Sequence, residues 1–239
     1  MPKTRKSSPD QPARSSAQLA AEVKAALALL EKASSQKVRD GMARYGLPSH
    51  HALGVGVGTI QKLAKQLGKD QALAEGLWET GVYEARLLAA FVGEPGKLTP
   101  ALMDRWCEDF DNWGVVDTVC FKLFDQSPHA WKRVGPWAKQ KGEFQKRAGV
   151  VLLACLAGHD RNASDDAFLR CLPLVERAAA DERNFVKKGV SWALRMIGRR
   201  NPVLRTAAIE LAQRLAGSAQ PSARWVGKDA LRQFGKARP

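Results

Sequence analysis

"NFVKKGVSWALRMIGRR", residues 184–200, decides the fold class. Placed on a helix at about 100° per residue, its side chains sort cleanly. Val186, Val190, Ala193, Leu194 and Ile197 fall on one stripe, while Lys188, Trp192, Arg195 and Arg199 fall on the opposite one. A tryptophan therefore sits on the polar face, among cations. Two readings fit. Either Trp192 packs under a neighbouring element and the cations are simply solvated, or the stripe is a contact surface. In the second case the cations neutralise phosphates and the indole packs on sugar or base.

The same rhythm runs outward in both directions. Upstream lie "SSAQLAAEVKAALALLEKAS" (15–34), "SQKVRDGMARYG" (35–46, stopped at Gly46), "GTIQKLAKQLG" (58–68), "DQALAEGLWETG" (70–81) and "YEARLLAAFVG" (83–93). "TPALMDRW" (99–106), "SPHAWKRV" (127–134) and "SDDAFLRCL" (164–172) follow, and downstream come "NPVLRTAAIELAQRLAG" (201–217) and "QPSARWVGKDALRQFG" (220–235). In several of these a polar N-cap precedes proline at the first helical position. No stretch alternates like a strand. About a dozen helices joined by short turns imply helix pairs of about 35–45 residues, the period of HEAT or armadillo units. The expected fold is all-α: a right-handed superhelical solenoid of HEAT-like, ARM-type helix pairs with a curved, concave face. Residues 17–239 form one domain on this reading. Residues 1–16, rich in Ser, Pro and charge, form a disordered basic tail.

Composition narrows the partners. Lys and Arg number 38 against 24 acids, a net charge of +14. Such a field favours nucleic acid, or less often an anionic membrane surface. The N-terminus "MPKTRKSSPDQPARSSAQ" has no apolar core and is not a secretory signal, and no apolar run is long enough to span a bilayer. A monomer in the cytoplasm is expected, with no membrane contact. Cys107, Cys120, Cys155 and Cys171 lack paired spacing and read as reduced thiols. His50, His51, His129 and His159 form no ligand set with them, so neither metal nor other cofactor is expected. "GVGVGT" (54–59) has glycines before a helix whose amides could approach a phosphate, but it lacks the ending of a P-loop.

One segment runs against the charge. Asp104, Glu108, Asp109, Asp111 and Asp117 stand against Arg105 alone. On a helix from Trp113 to Phe124, Trp113 and Asp117 are i,i+4 neighbours, with Asp117 at the edge of the apolar side. A carboxylate there loses hydration and needs a partner. Either it caps or salt-bridges a neighbouring helix, or its charge is wanted beside a ligand that becomes positive. Arg147 lies in "EFQKRAGVVLLACLAG" (143–158), a helix apolar nearly all round. It either pairs with a buried carboxylate or grips an anion. Lys139, Lys141 and Lys146 beside it, and the cations of residues 181–205, concentrate positive charge late in the chain.

"NWGVVD" (112–117), "FQKRAGVVLL" (144–153) and "FVKKGVSWALRMIGRRNP" (185–202) together resemble the AlkD-like DNA alkylation repair glycosylases, which have HEAT-like repeats. "LWETGVYEARLLAAFV" (77–92) and "WVGKDALRQF" (225–234) resemble that family's flanking helices, so the likeness spans about residues 40–235. The resemblance implies hydrolysis of the N-glycosidic bond of cationic alkylated purines, such as 3-methyladenine and 7-methylguanine, in duplex DNA. It implies this without flipping the base into a pocket, unlike most glycosylases. By matching position it implies that Asp117 is the catalytic carboxylate and that Trp113 and Trp192 flank the deoxyribose. Arg147 would hold the phosphate, and Lys146, Lys188, Arg195 and Arg199 would add DNA contacts. A cationic purine leaves without an acid, so the barrier lies in the oxocarbenium character of the sugar. A carboxylate beside C1′ stabilises that charge and orients water, and indole faces add cation–π attraction. Two positions depart from the family pattern: Gly114 beside the tryptophan, and Tyr83 where His-Glu-x-Arg is usual. Since some relatives bind DNA, including branched DNA, without excision, the alternative is a non-catalytic helical-repeat module binding DNA or a protein.

Overall fold

The structure, a computed structural model, describes residues 14–47 and 51–236. The described chain is helical throughout, with no strand. Its α-helices are α1 (Ser16–Lys32), α2 (Gln36–Met42), α3 (Val57–Leu67), α4 (Gln71–Glu79), α5 (Tyr83–Val92), α6 (Pro100–Glu108) and α7 (Trp113–Lys122). Then follow α8 (Ala130–Ala138), α9 (Glu143–His159), α10 (Asp165–Leu169), α11 (Leu172–Ala178), α12 (Asn184–Ile197), α13 (Pro202–Ala216) and α14 (Pro221–Lys236). Short 3-10 turns lie at Ala43–Tyr45, Pro95–Lys97 and Phe124–Gln126.

Local sequence explains six of the fourteen α-helix starts among the described residues directly. Ser15, Ser35, Asp70, Thr99, Asn112 and Asn201 each accept a backbone N–H three residues on, and Pro100 and Pro202 occupy first-turn positions where no N–H is needed. Of the tail expected at 1–16, residues 1–13 lie outside the described residues, as does His50. Arg14, within the expected tail, is held by Asp70 through two bonds of 2.7 and 2.9 Å.

Three helix bounds differ from the sequence reading. α7 ends at Lys122, because Leu123 leaves helical geometry and Phe124 opens a 3-10 turn. α12 ends at Ile197, which puts Arg199 beyond the helix rather than on its stripe. "SDDAFLRCL" divides into α10 and the start of α11, where Pro173 lacks the N–H that a continuous helix would use.

The helices form two layers. In the inner row α3, α5, α7, α9, α12 and α14 pack side by side in that order. Behind them α4 backs α5, α8 backs α9 and α13 backs α14, the paired arrangement expected of HEAT-like units. The centre of the inner row is α9, buried without interruption from Arg147 to Ala157. The core's largest stack is Trp78 on Trp106, with ring centroids 4.1 Å apart and planes 2° from parallel.

The acidic segment is mostly structural. Trp78 donates its indole N–H to Asp109 at 2.7 Å, and Trp137 donates to Asp104 at 2.8 Å. Each pairing satisfies a donor that burial would otherwise leave unpaired. Glu84 is fully buried and accepts the backbone N–H groups of Leu53, Gly54 and Val55 at 2.8, 2.7 and 3.1 Å. The amides of Leu53, Gly54 and Val55, ahead of α3, are thereby satisfied by an internal carboxylate. Cys107, Cys120 and Cys155 are buried free thiols and Cys171 is half-buried. Burial pushes all four up from the usual thiol range. Among the described residues no helix is long and apolar enough to cross a membrane, and no group of His, Cys, Asp and Glu could hold a metal ion.

Candidate functional site

Three neighbouring inner helices bring the sequence candidates together. Asn112 caps α7 by accepting the Val115 N–H at 2.9 Å, which fixes Trp113 as the first helical residue. Asp117 follows one turn later on the same face. α9 presents Arg147, and α12 presents Lys188 from its first turns. A cavity of about 470 Å³ is lined by Trp113, Asp117, Arg147 and Lys188, closed by Arg44, Tyr45, Gly46, Asn184 and Phe185.

Asp117 and Arg147 are bound to each other. Arg147 Nε donates to Asp117 Oδ1 at 2.8 Å, and a terminal nitrogen donates to Oδ2 at 2.7 Å. The other terminal nitrogen donates to the Phe185 carbonyl. Arg147 is 5% exposed, whereas the Asp117 side chain keeps 22% of its surface, facing the cavity. The sequence left two readings for each residue; here the carboxylate has its salt bridge and the guanidinium its buried partner. Burial pushes the Asp117 carboxyl above the usual carboxylate range, opposed by the charge and hydrogen bonds of Arg147. Each carboxylate oxygen has a second lone pair, so the fork leaves acceptor capacity toward the cavity.

The aromatic walls are held separately. Trp113 donates its indole N–H to the Tyr45 carbonyl at 2.8 Å, tying α7 to the turn after α2. Gly46, at φ +66°, ends that turn in a left-handed conformation, and a Cβ there would lie 2.8 Å from the Phe185 ring. Phe185 is fixed in turn by its N–H, donated to Glu143 at 3.1 Å. The two departures from the family pattern meet in space. A Cβ on Gly114 would lie 2.6 Å from the Tyr83 hydroxyl and 2.9 Å from Leu47, so a small residue at 114 accommodates the larger ring at 83. The Tyr83 phenol is pushed up to about 12 by burial, then by Glu84 and Asp117.

The remaining candidates are placed differently. Trp192 is half-buried against the core and does not line the cavity. Lys146 is paired with Asp181 at 2.8 Å, and Arg183 grips the same carboxylate, holding it well below its ordinary range with Lys146 assisting. Arg195 is half-buried, with its Nε donating to the Ser191 carbonyl at 3.2 Å. Arg199 is exposed just past α12. Sequence reasoning did not select Arg44, Tyr45, Asn184 or Phe185. The available signal was an aromatic beside Gly46 and a phenylalanine opening the 184–200 stretch.

Comparison with known proteins adds a family and a fold. A family model described as "DNA alkylation repair enzyme" matches residues 26–234. No match is found among curated proteins. A solved structure described as "a new family of proteins related to the HEAT-like repeat DNA glycosylases with affinity for branched DNA structures" superposes with a TM-score of 0.74. It is 20% identical over 88% of this chain and 94% of that chain. A designed armadillo repeat protein in complex with a (KR)4 peptide is 15% identical over 91% of this chain and 82% of that one, with a TM-score of only 0.36.

Proposed function

Because the chain belongs to the DNA alkylation repair enzyme family, we propose that it is a DNA glycosylase that hydrolyses the N-glycosidic bond of cationic alkylated purines. The observation that carries this reading is the cavity itself. It places one carboxylate, one indole and two cations from three helices around a single space. Duplex DNA with an alkylated base lies on the open face of the inner row. Lys188 faces the phosphates, and Trp113 packs against the deoxyribose.

The chemistry asks for little acid–base work. The glycosidic bond breaks with its electron pair passing to the purine, whose positive charge is thereby neutralised. Positive charge builds on C1′ and the ring oxygen, next to the Asp117 carboxylate. Water then adds to C1′ and loses a proton toward Asp117 or solvent. A neutral lesion lacks this driving force, because its purine carries no positive charge for the departing electron pair to neutralise. Arg147 opposes the upward push of burial on the Asp117 carboxyl and holds its two oxygens in place in the free chain. Release of 7-methylguanine from methylated duplex DNA tests the reading. Asp117→Asn keeps the shape, so duplex affinity should persist while release falls, by about 100- to 1000-fold if the full charge acts. Release by the Asn variant at the parental rate would remove Asp117 from the chemistry.

A second reading, DNA binding without excision, is favoured by one observation: both Asp117 oxygens are engaged by Arg147. It predicts that the parent chain releases no alkylpurine, and that Asp117→Asn binds duplex DNA at least as tightly as the parent.

A further inference from the structure

Three of the six large apolar side chains left exposed among the described residues meet in one place. Val38 from α2, Tyr45 from the turn after it and Val57 at the start of α3 line a single groove of about 420 Å³. Exposed apolar side chains scattered singly need no explanation, but a patch of them marks a contact surface. Met42 and Val55, both buried, continue the apolar lining inward.

Two glycines that line the groove are not required by the fold. A Cβ on Gly41 would meet only the Arg44 guanidinium, at 3.4 Å, and one on Gly56 would meet nothing within 4 Å. Neither has a left-handed backbone. Gly41 also lies inside α2, where glycine is a poor helix former. What both glycines do is keep the walls low, so that another chain's backbone can come close.

Charge selects the occupant. The charged residues lining the groove are Lys37, Arg44 and Glu84. Glu84 is spent on three internal amides, which leaves two exposed cations. Residues 1–13 carry Lys3, Arg5 and Lys6 against Asp10, the same sign as the groove, and a second copy of a chain of net charge +14 is repelled. Aliphatic walls with two cations do not suit a phosphate backbone, whose affinity comes from many neutralised charges. An acidic segment of another protein suits both the walls and the cations. An extended strand would need a sheet edge, which the described residues do not offer, whereas a helix lays apolar side chains one turn apart into such a groove.

We propose that the groove between α2 and the start of α3 docks an acidic amphipathic helix of a partner protein, whose apolar side chains enter between Val38 and Val57 and whose carboxylates pair with Lys37 and Arg44. The inference goes beyond the reading of the Asp117 cavity and does not depend on it. Arg44 and Tyr45 line both spaces, and the Tyr45 carbonyl holds the Trp113 indole. The docked helix therefore lies against the wall of that cavity, which brings the partner to the edge of the candidate site.

The probe is a fluorescein-labelled synthetic helix of about four turns, with leucines at i, i+4 and i+7 on one face and glutamates elsewhere. Anisotropy should show saturable binding, and methyl NMR should show shifts at Val38, Met42, Val55 and Val57 but not at Val203, an exposed valine at the start of α13. Replacing the leucines of the probe by alanine keeps its charge and should abolish binding. Gly41→Leu improves the helix propensity of α2 while filling the groove, so affinity should fall by about tenfold or more with no loss of melting temperature. Val38→Ser/Val57→Ser, which removes only exposed apolar surface, should also cost about tenfold, whereas Val203→Ser should cost nothing. Equal binding of the alanine probe, parental affinity in both groove variants, or no saturable shift of the groove methyls overturns the proposal. So does a short DNA duplex that shifts these methyls when the probe does not, which would make the groove part of a DNA interface. Shifts that grow with protein concentration alone would make it a contact between copies and overturn the proposal equally.

Discussion

Replacing Arg147 by methionine gives the sharpest check on the central pair, because it needs no DNA. Methionine retains a long apolar stem but deletes three donors: two to Asp117 and one to the Phe185 carbonyl. What remains is a carboxylate with most of its surface removed from water and no counterion. Breaking a buried ion pair from one side costs about 3–5 kcal/mol. Because Asp117 keeps 22% of its side chain in the cavity, the lower end applies, about 3 kcal/mol. Asp117→Leu strands a nearly inaccessible guanidinium and should cost at least as much. The double variant strands neither charge and leaves only the Phe185 carbonyl short of a donor, about 1–3 kcal/mol. The two losses should therefore be strongly non-additive.

Urea unfolding measures this directly, since about 3 kcal/mol moves the midpoint by about 1–3 M at ordinary slopes. pH gives a second reading. Burial already raises the folded-state pKa of Asp117, and removing Arg147 raises it further. A carboxyl whose folded pKa lies above its unfolded value binds its proton more tightly when folded, so that stabilisation is present at low pH and lost as pH rises. The gap between parent and Arg147→Met should thus be widest near pH 8 and narrow as pH falls toward 5. Additive single losses, or a gap that widens in acid, would refute the buried pair as described.

Two further outcomes are expected. Gly114→Ala should destabilise by about 1–3 kcal/mol in thermal unfolding, because its Cβ meets the Tyr83 hydroxyl at 2.6 Å, and adding Tyr83→Phe should recover part of the loss. Glu84→Ala leaves three amides at residues 53–55 without their acceptor, so hydrogen exchange there should quicken and stability fall by about 2–5 kcal/mol; unchanged exchange would mean that the carboxylate does not hold the loop.

How much of this was legible follows from the range of each interaction. The helices were legible because periodicity and caps are local: Ser15, Asp70, Thr99 and Asn201 act on residues three positions away. The face carrying Trp113 and Asp117 was legible for the same reason. The partner of Asp117 was not, since Arg147 lies 30 residues on and meets it only because α7 and α9 are neighbours in the inner row. Tyr45 is further still, 68 residues from the indole it binds. The acceptor of the loop's amides was not legible, since Glu84 lies about 30 residues from Leu53, Gly54 and Val55. The partner of Lys146 was equally out of reach, since Asp181 lies 35 residues on.

The pairing of Asp117 with Arg147 sets a bound on what the carboxylate can contribute, and so links the two functional readings quantitatively. A free carboxylate about 4 Å from the developing charge on the sugar stabilises it by about 4 kcal/mol at an effective dielectric of about 20. A guanidinium behind it, about 8 Å from the same point, takes back about half. The closed pair would therefore supply about 2 kcal/mol, or roughly 30-fold in rate. If Arg147 instead turns to a DNA phosphate once the duplex is seated, the full charge acts and the contribution returns to the range of several hundredfold. The pair also has a use before that moment. A bare carboxylate on a cation-lined face would repel the backbone, whereas a closed pair presents little net charge to an approaching duplex. The size of the Asp117→Asn defect then reports the state of Arg147 in the transition state. A loss near 30-fold means that the fork stays closed, a loss of several hundredfold means that it opens, and no loss means that the cavity binds DNA without cutting the glycosidic bond.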